Sequence, residues 1–177
     1  MYQTETRRRR AEMPDRGTDR YPVSIHTGER ITVADSLQLR ERTLVVLKPD
    51  AVVRGLAGRI IARFEDAALK VIGMKMREID ADFARKHYFD LEERHGAAVY
   101  NTTAAFMQRG PVIAFVLEGD DAVATVRKIV GTTYPNEAQP GSIRGDFALE
   151  IGQNLVHGSD SPESAAREVK LFFPDLA

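Results

Sequence analysis

Cysteine is absent from all 177 residues. That excludes a disulfide framework, a thiolate zinc site and a cysteine nucleophile, and it is what a reducing compartment would select. No apolar run approaches the roughly 18 residues needed to cross a bilayer. The arginine-rich start lacks the apolar stretch of a secretory leader, because Arg7 to Arg10 run into Ala11-Glu-Met-Pro-Asp-Arg16. Neither sign of charge dominates. Lysine and arginine number 25 against 26 aspartates and glutamates, a net charge of -1 that argues against a chain-wide nucleic-acid footprint. What remains, at 43% hydrophobic and 29% charged residues, is the composition of one soluble globular domain. The expectation is a cytoplasmic enzyme with no membrane partner.

The chain divides near residue 41. Residues 1–40 hold eight arginines and six acidic residues, and only Val23-Ser-Ile25 and Ile31-Thr-Val33 look strand-like. Residues 1–41 read as a flexible or loosely docked extension, with Arg7 to Arg10 as the one candidate patch for phosphates or a nucleic acid. Periodicity sharpens in residues 42–177. Thr43-Leu-Val-Val-Leu47 reads as a buried strand stopped at Lys48-Pro49. Leu56, Ile60, Ile61 and Phe64 follow helical spacing, and Val71 to Ile79 alternates as a second strand. One helix is expected from Asp82 to about Glu93, capped by Asp80 or Asp82, and another from about Ala97 to Gln108. Val112 to Leu117 reads as a third strand, and Asp120 to Val130 as a helix closed by Gly131. No periodicity marks Gly131 to Asp146, a long loop of the kind that usually has a job. Leu155-Val-His157 is a short strand, and Ser161-Pro162 opens the last helix, with serine at the cap and proline at the first helical position. This order suits a split βαβ arrangement in the α+β class, an antiparallel sheet covered by helices.

The stretch Asn154-Leu-Val-His157-Gly-Ser-Asp160-Ser is the most informative. It puts an imidazole at a strand end near a helix N-terminus, where backbone N–H groups favour anions. A neutral imidazole nitrogen is a competent nucleophile if a neighbour fixes the other nitrogen's tautomer, and Glu168, two turns into the next helix, can be that neighbour. Lys48, Arg127 and Arg144 offer positive charge, and Thr133 and Asn154 offer hydrogen bonds. That set suits phosphoryl transfer, which asks the protein mainly for positioning and charge. Each residue alone also has an ordinary reading as a strand end, helix face or loop charge. Other signals fail. Gly55-Leu-Ala-Gly58 lacks the Gly-Lys-Ser/Thr of a phosphate-binding loop, Arg144-Gly-Asp146 is a chance tripeptide, and Asp80, Asp82 and Asp90 lack calcium-loop spacing. His87 and Glu93 read as helix-surface residues, and no protein-held zinc site is expected.

Together the segments from Glu41 to about Phe173 resemble the nucleoside diphosphate kinase family. Asn154 to Ser161 resembles its active-site signature, Arg42 to Asp50 its opening strand, and Pro140-Gly-Ser-Ile-Arg-Gly-Asp-Phe147 the loop before the histidine. The resemblance implies a ferredoxin-like fold with a four-stranded sheet and a ping-pong reaction. A nucleoside triphosphate would donate its γ-phosphoryl to His157, and a nucleoside diphosphate would collect it. Glu168 and Ser159 would support the nucleophile. Lys48, Arg127, Thr133, Arg144 and Asn154 would bind phosphates and sugar, with Tyr88 and Arg94 nearby. Mg²⁺ would arrive on the nucleotide phosphates, with no metal ligand from the protein, and the chain would assemble as a homo-hexamer or tetramer. Two departures stand out. Ala51 replaces a glycine, and the Pro-Phe-Phe stretch expected after Arg94 is replaced by His95-Gly-Ala-Ala-Val-Tyr100-Asn, about three residues longer, where Tyr100 is the candidate ring for the base. A non-catalytic nucleotide-binding regulatory module is the alternative reading, and it predicts nucleotide binding without turnover.

Overall fold

The computed structural model describes residues 40–176. Arg7 to Arg10 and the two strand-like stretches near residues 24 and 32 lie outside them. Four strands carry the fold: β1 (Glu41–Leu47), β2 (Lys70–Arg77), β3 (Val112–Gly119) and β4 (Val156–Gly158). They form one sheet in the order β2-β3-β1-β4, and every neighbouring pair is antiparallel. Two crossovers separate strands that each enclose a third between them, which is the split βαβ topology.

β1 is central because both of its faces are apolar. Val45 and Leu47 point to one side, Leu44 and Val46 to the other, and all four are fully buried. On the first side lie helices α1 (Pro49–Val53), α2 (Ala57–Glu65) and α6 (Ala122–Val130). Their Ala51, Ile60, Phe64, Val126 and Val130 close that half of the core. On the second side lie α3 (Ala81–His87), α4 (Leu91–His95), α5 (Ala97–Met107) and α8 (Pro162–Phe172), with Ala84, Met107, Val169 and Phe172 buried against the sheet. A five-residue helix, α7 (Ile143–Phe147), and 3₁₀ turns at Pro135–Glu137 and Pro174–Leu176 complete the elements.

Asp80 caps α3 by accepting from the Phe83 N–H at 2.7 Å. The single helix expected over 82–93 is in fact two. The Tyr88 carbonyl is taken by the Leu91 N–H at 3.1 Å, a tight turn that ends α3 and starts α4. The stretch 131–146, which has no periodicity, hides α7, a helix too short to show any. Ser161 caps α8 by accepting from Ser164 N–H at 3.1 Å, with Pro162 at the first helical position as expected.

Candidate active site

β4 pairs with β1 so that His157 stands opposite Val46. Val156 on one side of His157 packs into the α2/α6 half of the core. By strand alternation His157 therefore faces α3 and α8. Its approach is unusual: Leu155 has φ +70, a left-handed conformation that costs a leucine about 1–2 kcal/mol. Both backbone groups of Leu155 are gripped. Its carbonyl accepts from Lys48 N–H at 2.8 Å, and its N–H donates to the Asp50 carboxylate at 3.1 Å. These two bonds tie the end of β1 to the strand carrying the histidine, and a fully buried Leu155 side chain locks the turn.

The Nε2 of His157 lies 3.0 Å from Oε2 of Glu168 on α8, and the same oxygen accepts from Ser159 Oγ at 2.6 Å. A carboxylate can only accept, so Nε2 carries the proton and Nδ1 keeps its lone pair. The imidazole is 22% exposed and Glu168 only 5%. Burial acts to raise the Glu168 carboxyl. The charge and hydrogen bond of His157 outweigh it and hold the group at about 2. Arg167 adds an ion pair to the other oxygen at 3.4 Å.

Arg144 sits on α7, is buried, and donates four hydrogen bonds to backbone carbonyls: Asn154, Gly131, Thr132 and Val156. A guanidinium has five N–H groups, so among the described residues one remains without a partner. Burial, then the nearby Arg127 charge, lower it to about 10, so it stays cationic near neutral pH. Lys48 donates to Asn154 Oδ1 at 2.7 Å, and Asn154 Nδ2 donates to the Thr133 carbonyl at 3.2 Å. Burial, then Arg144, lower the Lys48 ammonium to about 8. Arg127 on α6 makes one long bond, 3.5 Å, to the Gly158 carbonyl beside His157. One network thus joins Lys48, Asn154, Thr133 and Arg144, and Arg127 lies against the residue after the histidine. Two glycines let the backbone close. A Cβ on Gly145 would stand 2.2 Å from the Gln139 carbonyl, and one on Gly158 would meet Val126 at 2.9 Å.

The remaining predicted residues divide. The Tyr88 ring stands edge-on to His157 with centroids 6.3 Å apart, its buried hydroxyl without a hydrogen-bond partner among the described residues. Burial raises that phenol well above its usual value. Arg94 is exposed and paired with Asp90 at 3.1 Å within one helical turn. Tyr100 does not present its ring to a base. It is 6% exposed, packed in the core, with Arg85 stacked over it at 3.8 Å. Its place on α5 puts it on the buried face of that helix, with Ala104 and Met107. His87 is not a surface residue either: it is 4% exposed, and its ring lies 4.6 Å from that of His157. Burial, then the charge of His157, lower it to about 3. Sequence reading missed Asp50, whose place two residues after Lys48 is the only signal it leaves.

The model of the family described as nucleoside diphosphate kinase matches residues 41–177. A nucleoside diphosphate kinase of Methanothermobacter thermautotrophicus is 53% identical over 135 residues, covering 76% of this chain and 88% of that one. One from Listeria monocytogenes is 50% identical over 133 residues, covering 75% and 88%. Among solved structures, the apo kinase of Encephalitozoon cuniculi superposes with a TM-score of 0.71 at 38% identity, covering 75% of this chain and 88% of that one. A transition-state mimic of the Borrelia burgdorferi kinase with vanadate and ADP gives 0.74 at 39% identity, covering 78% and 90%. With its sheet order, its histidine on the short edge strand and its cationic surroundings, the chain belongs to the nucleoside diphosphate kinase family.

Proposed function

We propose that His157 Nδ1 is the atom that carries phosphorus in this nucleoside diphosphate kinase. The supporting observation is the 3.0 Å contact between Nε2 and the Glu168 carboxylate, which leaves the lone pair on the other nitrogen. Nδ1 attacks the γ-phosphorus of a nucleoside triphosphate, the bond to the bridging oxygen breaks, and its electrons leave with the diphosphate. The phosphorylated ring is cationic because Nε2 keeps its proton. The buried Glu168 carboxylate, steadied by Ser159 Oγ, balances that charge without needing to move. A second nucleoside diphosphate then attacks the phosphohistidine, and the neutral imidazole returns.

Lys48, Arg127, the free N–H of Arg144, Thr133 and Asn154 hold the phosphates and sugar, with Tyr88 and Arg94 at the margin. Mg²⁺ would arrive with the nucleotide rather than in a site of this chain, and would supply charge neutralisation at the phosphates. The chain's own carboxylates near the site support this division of labour. Asp50 holds Leu155, and Glu168 holds His157 and Ser159. Charge around the phosphates and hydrogen bonds to the sugar leave the base little to decide, which suits one site serving both half-reactions. We further propose a cytoplasmic homo-oligomer, a hexamer or tetramer. No helix among the described residues is long and apolar enough to cross a membrane. β2 is an edge strand of the sheet and exposes Met74 and Met76, 46% and 59% accessible, as a surface for a second copy. Phosphoryl exchange from ATP to a panel of nucleoside diphosphates, comparing wild type with His157→Ala, tests the assignment. Exchange to all of them that vanishes in the variant is expected. Exchange that survives in it would overturn the role of His157.

A further inference from the structure

His87, His157 and Glu168 each offer a ligand atom, and all three atoms lie within 4.8 Å of one another. His87 has no part in the phosphoryl path described above. Its ring is 4% exposed, and neither nitrogen has a hydrogen-bond partner among the described residues. A buried polar atom left unpaired is costly, so two on one ring call for an explanation. The ring is not turned away from the site. It stands edge-on to His157 at an interplanar angle of 78°, with Glu168 beyond at 3.0 Å from Nε2.

Two imidazoles and one carboxylate are a ligand set suited to Zn²⁺ or its neighbours, with a fourth position for water. Ligand bonds of about 2.0–2.1 Å place the ligand atoms of a tetrahedral centre about 3.3 Å apart. From a spread of at most 4.8 Å, side-chain rotations that bring the atoms about 1.5 Å closer would complete the geometry. Access is through the exposed edge of His157. We propose that His87, His157 and Glu168 form an inhibitory site for a nitrogen-seeking divalent ion of the Zn²⁺ type, separate from the Mg²⁺ that comes with the nucleotide. The inhibition follows from tautomer chemistry. An ion on Nε2 displaces that proton and forces Nδ1 to carry one, which removes the lone pair. An ion on Nδ1 occupies the lone pair directly. Either way His157 stops being a nucleophile. Mg²⁺ is no competitor, because it takes oxygen ligands in octahedral geometry. Lys48, Arg127 and Arg144 work against the cation, so the site is a reversible one. The inhibitory half rests on the nucleophile assigned above; the binding half does not.

The test uses Co²⁺ as a spectroscopic stand-in for Zn²⁺, titrated into the full chain without nucleotide. Wild type is expected to bind one Co²⁺ per site with the intense visible absorption of a tetrahedral centre, displaced by Zn²⁺. His87→Phe keeps a ring in the same space and removes both nitrogens; His87→Asn serves if the first variant folds poorly. Either should weaken binding about tenfold or more. Subtracting variant from wild type also removes ions taken by His26 or His95. In parallel, Zn²⁺ added before Mg²⁺ and ATP should block labelling of wild-type protein and spare the His87 variant. Equal Co²⁺ affinity and spectra in wild type and variant would overturn the site, as would octahedral absorption alone. Binding as described in a protein that never exchanges phosphoryl groups would instead overturn the kinase mechanism and leave the metal site standing.

Discussion

At the scale of single residues, the proposed mechanism depends on which imidazole nitrogen keeps its proton. Glu168→Gln retains an acceptor for Nε2–H but not the charge that balances a phosphorylated ring. The exchange rate is expected to fall by about 10²-fold, with KM for the nucleotide little changed in steady-state kinetics. Lys48 supplies a pH signature. Its ammonium sits near 8, below the ordinary 10.5, mainly because of burial. The folded protein therefore sheds this proton first as pH rises. Below about 8 the buried charge destabilises the fold. That cost is relieved between about 8 and 10.5, so stability should rise with pH over the window in which phosphate binding weakens. Urea unfolding and kcat/KM, followed from neutral pH upward, should move in opposite directions. Lys48→Met should flatten both alkaline limbs. A wild-type stability that falls across that window at the same rate as the variant's would contradict this reading.

At the scale of elements, the site is held by joints rather than by long helices. The strained turn at Leu155 survives because Lys48 N–H and the Asp50 carboxylate hold both its backbone groups. Asp50→Ala leaves the Leu155 N–H unpaired. It should cost about 1–3 kcal/mol by denaturant unfolding and slow phosphoryl transfer by misplacing His157. In α7, Gly145→Ala sets a methyl 2.2 Å from the Gln139 carbonyl. The loop must shift, at about 1–3 kcal/mol, and Arg144 shifts with it, so KM should rise along with the lost stability. The sequence's legibility was uneven for the same physical reasons. β1, α2, β3 and α8 are long and periodic, or carry a clear cap, and could be read from spacing. Glu168 lies on α8, Lys48 directly follows β1, and His157 stands on the short β4 just before the capped start of α8. α7 is five residues long and the break at Tyr88 is a local turn, so neither leaves a period. His87 and Tyr100 were misjudged because helical position does not say which face a neighbouring helix will cover. Asp50 was missed because its partner is a backbone N–H 105 residues away.

At the scale of the molecule, two apolar layers grip β1 from opposite sides, and the site opens where β4 joins the edge of that sheet. Removing the first 39 residues should leave exchange activity intact, since the family match begins at residue 41. Replacing Met74 and Met76 by lysine should yield smaller species by light scattering if β2 is where copies meet. The central claim is that Nδ1 of His157 takes up phosphorus, and its direct test is the phosphoenzyme itself. Protein incubated with Mg²⁺ and radiolabelled ATP should acquire acid-labile, base-stable phosphate on His157. ³¹P NMR should assign the bond to Nδ1, and any added nucleoside diphosphate should discharge it. Label that survives acid, sits on another residue, or persists in His157→Ala would contradict the account.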